Sequence, residues 1–242
     1  MFSESAQLYD LIYSSFKDYP AEAAFIAERL RRERPGCRPV LDAACGTGEH
    51  ARLLAEEHGF EVDGIDVEPG FIEIARSKNP GGRFRVADMA DFSLSQRYDA
   101  VICLFSSIGY LKTLERVTAA LRCFTAHLEK DGIVLVEPWF PPGVMEHGRT
   151  ATVAADNGAV QVERTARIEV AGRLCRVHFY YRIEDVDGAR DLYEVHEMGL
   201  FTVDEMLDAF RQAGLSVTYD DEGPTGRGLY IGMHAKPEST TG

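Results

Sequence analysis

The stretch VLDAACGTGEHA, residues 40–51, decides the fold. An apolar run breaks at a turn of the form Gly-X-Gly-X-X-Ala and gives way to helix-forming residues. A buried strand feeding a glycine turn and a helix is the opening of a βαβ unit, and the glycines let backbone N–H groups approach a ligand closely. Such a turn holds either a dinucleotide or a different adenosine cofactor, so the surrounding residues must decide between them.

Working outward, residues 20–34 (PAEAAFIAERLRRER) have helical spacing with Pro20 at the helix start. After the glycine turn come a helix ending at Gly59, the strand EVDGID (61–66), the helix FIEIARSKN (71–79) and the short strand FRVAD (84–88). The strand YDAVICLF (98–105), a helix over 113–130 and the strand IVLVEPW (133–139) follow. Strands alternating with helices at this spacing predict a parallel sheet. From 150 to 200 the pattern changes to period-two stretches, AVQVERTARIEV and RLCRVHFYYRIE, punctuated by Asn157-Gly158, Ala171-Gly172 and Asp187-Gly188. These are antiparallel strands joined by tight turns. Thr202 to Glu205 is a capping box opening a helix that stops at Gly214, and the sheet resumes with LSVTYD and GLYIGMHA. The expected fold is α/β: a Rossmann-like sheet with helices on both faces and a small antiparallel sheet inserted after strand five. Residues 1–143 and 201–242 form the cofactor-binding core, and 144–200 the insert on the substrate side.

The totals narrow the function. The 242 residues carry a formal charge of −13, which argues against a nucleic-acid partner, since phosphate backbones are bound mainly by Lys and Arg. Five scattered cysteines without a C-x-x-C pair fit reduced thiols rather than a disulfide framework or a zinc site. No metal is expected. The N-terminus lacks a signal-peptide pattern and no apolar run is of spanning length, so the expected protein is soluble and cytoplasmic, with no membrane partner.

Three features choose the cofactor. Asp42 puts a carboxylate at the strand end beside the loop containing Gly46 and Gly48. It would repel a pyrophosphate and welcome a cationic amino-acid head. Asp66 ends strand two, where a carboxylate takes the ribose hydroxyls. Asp88-Met89 closes strand three, where an acid accepts from adenine N6–H. An adenosine without a pyrophosphate fits S-adenosyl-L-methionine, with S-adenosyl-L-homocysteine as product, better than NAD.

With these residues, LDAACGTG, GID, ADMADF and the late GLYIG strand resemble the class I S-adenosylmethionine-dependent methyltransferases. LYDLIY, KDYPAEAA, FSSIGYLKT, VEPWFPP, LFTVDEM and GPTGRGLYIG extend the resemblance over nearly the whole chain, to the N,N-dimethyltransferases of TDP-amino-deoxysugars in the desosamine and mycaminose pathways. The resemblance implies the core-plus-insert fold, double methylation of a sugar amine, and a TDP-amino sugar as small-molecule partner, in a chain working alone or as a homodimer. It places Tyr9 near the cofactor's methionine end with Lys17 close by, and adds Ala44, Val67 and Leu104 to the cofactor set. It puts Tyr19 on the substrate side, Tyr110 beside the reacting amine, and Arg227, between two glycines, on the diphosphate. Trp139 walls the pocket, and His178 and His196 on the inserted strands are candidates to face it. Tyr110 and Glu137 are the candidates for orienting the amine or taking its proton, with solvent as the alternative acceptor. Two departures fall on the substrate side. The loop Ser14-Ser15-Phe16 is one residue short of the family's, and Phe2 stands where relatives have tyrosine, so the sugar can differ from the familiar ones.

The rival readings are another small-molecule O-, N- or C-methyltransferase and, more distantly, an NAD(P)-dependent oxidoreductase, disfavoured by Asp42 and Asp88-Met89. A non-catalytic adenosine-binding module is the third.

Overall fold

The computed structural model describes residues 5–234. The first half of the chain runs through α1 (Tyr9–Tyr13), α2 (Tyr19–Glu33), β1 (Pro39–Ala43), α3 (Glu49–Glu56), β2 (Glu61–Asp66), α4 (Pro69–Lys78), β3 (Phe84–Val86), β4 (Tyr98–Cys103), α5 (Leu114–Ala126) and β5 (Leu128–Val136). Four long strands follow, β6 (Thr150–Asp156), β7 (Gln161–Ala171), β8 (Leu174–Asp185) and β9 (Gly188–Gly199). The chain then returns through α6 (Val203–Gln212), β10 (Leu215–Asp220) and β11 (Leu229–His234).

Seven strands form one sheet in the order β10-β11-β5-β4-β1-β2-β3, parallel except for the β10–β11 hairpin, which pairs antiparallel with β5. Strand residues alternate between two cores. Val40, Ile102 and Leu135 face α2, α3 and α4, while Leu41, Val101 and Val136 face α5 and α6. The buried central strands therefore read as near-continuous apolar runs. The order reverses between β1 and β4, and in open α/β sheets the crevice beyond the strand ends at that switch point is where ligands bind.

The expected α/β architecture holds. One boundary does not: α5 stops at Ala126 rather than Lys130. His127 leaves the helix, with Nδ1 against the Cys123 carbonyl and Nε2 accepting from the Leu94 N–H, and Leu128 then pairs with Tyr98 on β4. The apolar periodicity counted Leu128 as helical, but pairing with β4 claims it.

Strands β6 to β9 form a separate antiparallel sheet in sequence order. Its inner face, including Val162, Ile168, Val177 and Phe179, packs around Leu8 and Ile12 of the N-terminal segment. Among the described residues no helix is long and apolar enough to cross a membrane. No cluster of His, Cys, Asp and Glu among them is arranged to hold a metal.

Candidate active site

The glycine turn sits at the switch point. Gly48 has φ +76° and caps α3; a Cβ there would stand 2.7 Å from Asn79 Nδ2 and 3.0 Å from Ala75 Cβ, so both conformation and space demand glycine. Ala44 also adopts a left-handed φ of 64°, a conformation costing a non-glycine residue about 1–2 kcal/mol. Asp66 ties the turn down: one carboxylate oxygen accepts from the Gly46 N–H and the other from the Glu68 N–H, each at 2.9 Å. Its remaining lone pairs border the cavity, as a ribose ligand requires.

Asp42 is 2% exposed, and among the described residues no hydrogen bond is recorded to its carboxyl. Burial pushes that carboxyl up to about 7, with His50 pulling the other way. It opens on a small cavity with Tyr9, Tyr19, Gly46 and Leu104. A buried acid that receives no hydrogen bond from the described residues, beside N–H-rich turn backbone, fits a ligand end bearing both a cation and an anion. On the far side Val67, Asp88 and Met89 border a shallow recess. Asp88 is partly desolvated, which pushes it up, yet the Ala90 N–H and Arg116 hold it below the usual carboxylate range.

Between these recesses and the inner face of the inserted sheet lies a cavity of about 430 Å³. Tyr9, Ala44, Gly46 and Phe105 border both it and the Asp42 recess, so the two adjoin. Tyr110 and Trp139 line it. The Tyr110 hydroxyl stands 2.9 Å from His196 Nδ1. Burial pushes the phenol well above its ordinary value and the imidazole below its own, so both are neutral. Glu194 faces His196 Nε2 at 3.6 Å and accepts from the Ser5 and Tyr181 hydroxyls. Carboxylate opposite Nε2 favours the tautomer protonated there, leaving Nδ1 to accept from Tyr110. The Tyr110 lone pairs are thereby left to accept from a ligand.

Arg227 also lines the cavity. Its Nη1 donates to Ser106 Oγ at 3.0 Å, and its Nε lies 3.5 Å from Glu137. Glu137 is 1% exposed; it accepts from the Phe105 N–H at 2.6 Å and from the Thr225 hydroxyl, and is not among the cavity-lining residues. The structure thus corrects its expected place beside the amine: Glu137 sits beneath Arg227 and positions it. The same carboxylate holds Phe105, and the Pro138 carbonyl accepts from the Ser106 hydroxyl, which fixes two consecutive residues with φ of 51° and 62°. Strained non-glycine backbone of this kind persists where surrounding contacts over-determine it.

Other expected residues fall elsewhere. His178 points to the outer face of the inserted sheet, paired with Tyr193 and Glu169, because it alternates with the inward Val177 and Phe179. Lys17 is buried behind the wall, 2.7 Å from Glu22 and over the Phe105 ring at 3.6 Å, and borders neither recess. Tyr19 borders the Asp42 recess rather than the large cavity. Phe2 lies outside the described residues.

Sequence reasoning missed Arg164, Tyr13 and Phe105, all lining the cavity. A signal for Arg164 existed. In VERTARI it occupies the same strand face as Val162 and Ile168, an arginine on the apolar side of an alternating strand.

A methyltransferase-domain family matches the chain over residues 40–132. The dTDP-3-amino-3,6-dideoxy-alpha-D-glucopyranose N,N-dimethyltransferase of Streptomyces fradiae is 40% identical, over 95% of this chain and 91% of that protein. The crystal structure of Streptomyces venezuelae DesVI superposes with a TM-score of 0.90 at 37% identity, covering 96% of this chain and 99% of that one. CalS10, an amino pentose methyltransferase from Micromonospora echinaspora solved with S-adenosylmethionine bound, gives 0.85 at 32% identity, over 95% and 97% of the two chains.

Proposed function

Because the chain belongs to the family of S-adenosylmethionine-dependent N,N-dimethyltransferases of TDP-linked amino sugars, we propose that it methylates the amino group of such a sugar twice. The observation that carries this reading is the continuous cavity. It runs from Asp66 and Met89 at the cofactor end to Tyr110, His196 and Arg227 beneath the inserted sheet. The residues fit the cofactor: Asp66 for the ribose, Asp42 for the ammonium, the glycine-turn amides for the carboxylate, and Asp88-Met89 for the adenine.

S-adenosylmethionine supplies a methyl group already activated on sulfonium, so this chain's residues have to align the amine, exclude water and keep the amine neutral. The cavity is walled largely by aromatic and aliphatic side chains, which keeps water out of the line of attack. Tyr110, donating to His196, presents its oxygen to the amine and fixes the direction of the nitrogen lone pair. As the N–C bond forms and the C–S bond breaks, the nitrogen sheds one proton per methyl. A neutral His196 backed by Glu194 gives that proton a path through Tyr110.

The test is turnover of TDP-linked 3-amino and 4-amino sugars followed by mass spectrometry. Two successive methyl increments with matching release of S-adenosylhomocysteine are expected. A single increment, or none on either sugar, would count against the N,N-dimethyl reading.

A second expectation concerns pH. A ligand ammonium favours ionised Asp42, whose free-state carboxyl lies near 7. Below that value binding must release a proton, so S-adenosylhomocysteine affinity should strengthen as pH rises from about 6 to about 8, then level off. Calorimetry in buffers of different ionisation enthalpy reads the proton release. Asp42→Asn should flatten the dependence, and an equally flat wild-type curve would remove Asp42 from the ammonium site.

A further inference from the structure

Arg164 projects from the inner face of β7 into the large cavity. It is 6% exposed, and it forms no ion pair with any described carboxylate. Its Nε and Nη1 have no hydrogen-bond partner among the described residues. What surrounds it is aromatic: its guanidinium carbon lies 4.8 Å from the Tyr13 ring centre and 4.5 Å from that of Phe179, beside the Tyr13 hydroxyl. Ring faces offset part of the desolvation of a cation, but with the remaining edge turned to the Tyr13 hydroxyl they leave Nε and Nη1 unused. Buried charges are normally paired, and this one sits in a chain with thirteen more acidic than basic residues. Glu194 shares the sheet and is fully occupied by Ser5, Tyr181 and His196.

We propose that Arg164 is a second anion receptor in this cavity and that, with Arg227, it clamps the diphosphate of the nucleotide sugar from the side of the inserted sheet. This deepens the substrate reading given above and rests on it. Both guanidiniums line the same cavity and stand on the same aromatic pair. The Tyr13 and Phe105 rings meet edge to face at 5.2 Å, with Arg164 over Tyr13 and the Arg227 guanidinium carbon 5.3 Å from the centre of Phe105. Two guanidiniums flanking one aromatic pair match two linked phosphoryl groups, each able to accept from a fork of N–H donors. The carboxylate of the methyl donor is the wrong ligand, because the N–H-rich turn that suits it borders the separate Asp42 recess, which Arg164 does not line. Arg164 is also linked through Phe179 to His196, whose partner is Tyr110. The phosphates and the reacting amine are thus held at two ends of one wall.

The experiment is calorimetric titration of the wild-type chain, Arg164→Met and Arg164→Lys with thymidine, TDP and inorganic pyrophosphate, all with saturating S-adenosylhomocysteine. Methionine keeps an unbranched stem for packing and removes the charge. The expected result is at least a tenfold weaker TDP and pyrophosphate affinity for Arg164→Met, unchanged thymidine and S-adenosylhomocysteine affinity, and a melting temperature no lower than wild type. Arg164→Lys, with charge but no fork, should fall between the two. Wild-type TDP affinity in Arg164→Met overturns the proposal. So does equal weakening of thymidine and TDP with a lowered melting temperature, which would make the arginine structural. Should Arg164→Met not fold, the same criteria apply to Arg164→Lys against wild type. If the wild-type chain binds pyrophosphate but not TDP, the nucleotide-sugar reading falls while the arginine variants still decide the anion site. Binding of neither probe overturns both.

Discussion

Asp66→Ala is expected to abolish measurable binding of S-adenosylmethionine and S-adenosylhomocysteine. The substitution removes more than a ribose acceptor. The carboxylate also receives the Gly46 and Glu68 N–H groups, so it holds the glycine turn and the start of α4 in place around the ligand. Hydrogen bonds to a charged group contribute about 1.5–3 kcal/mol each. Loss of two ribose contacts alone corresponds to roughly a hundred-fold to ten-thousand-fold in affinity. Asp66→Asn separates the two roles, because an amide keeps one oxygen for a backbone N–H and one donor for a ribose oxygen. It should bind weakly yet detectably by calorimetry, and wild-type affinity in Asp66→Ala would remove Asp66 from the ribose site.

Arg227→Ala has two expected consequences, one functional and one structural. Nucleotide-sugar affinity should fall about a hundredfold with cofactor affinity unchanged, because a charge-assisted pair of donors is lost at the diphosphate. Stability should fall as well, since Glu137 is 1% exposed and Arg227 lies against it. Leaving that carboxylate short of a partner costs about 2 kcal/mol, or roughly 4–8 °C in melting temperature for a chain of this size. Arg227→Lys should recover most of the stability but little of the affinity, because a point charge serves Glu137 and a fork serves a phosphate. A lysine variant with wild-type sugar affinity would show that fork geometry is irrelevant there.

The placement of the candidate cofactor residues was legible because it depends on short-range grammar. Gly46 and Gly48, Asp66 at a strand end and Asp88-Met89 after the next are all fixed by where parallel strands stop. The order of those ends is set by the βαβ pattern itself. The substrate half depends on contacts between segments far apart in sequence. Glu137 reads as a free acid at a strand mouth until the turn after β10 brings Thr225 and Arg227 onto it. His178 and His196 look alike in sequence, and only the pairing of Val177 with His196 puts one on each face. Lys17 lies close to Tyr19 in the chain, yet Phe105, just after β4, screens it from the cavity.

The inserted sheet has a practical consequence for changing what the enzyme accepts. Positions 164, 166 and 168 on β7, 177 and 179 on β8, and 196 and 198 on β9 all line the large cavity, and none of them borders the Asp42 recess. Each stands on a hydrogen-bonded ladder whose register is carried by the backbone, and its neighbours in sequence point outward. A combinatorial library confined to positions 166, 168, 177, 179 and 198 would retune acceptor preference while sparing Arg164, His196 and the Asp42 recess. Divergence among enzymes of this shape can follow the same route, one tile of the ceiling at a time above an unchanging floor.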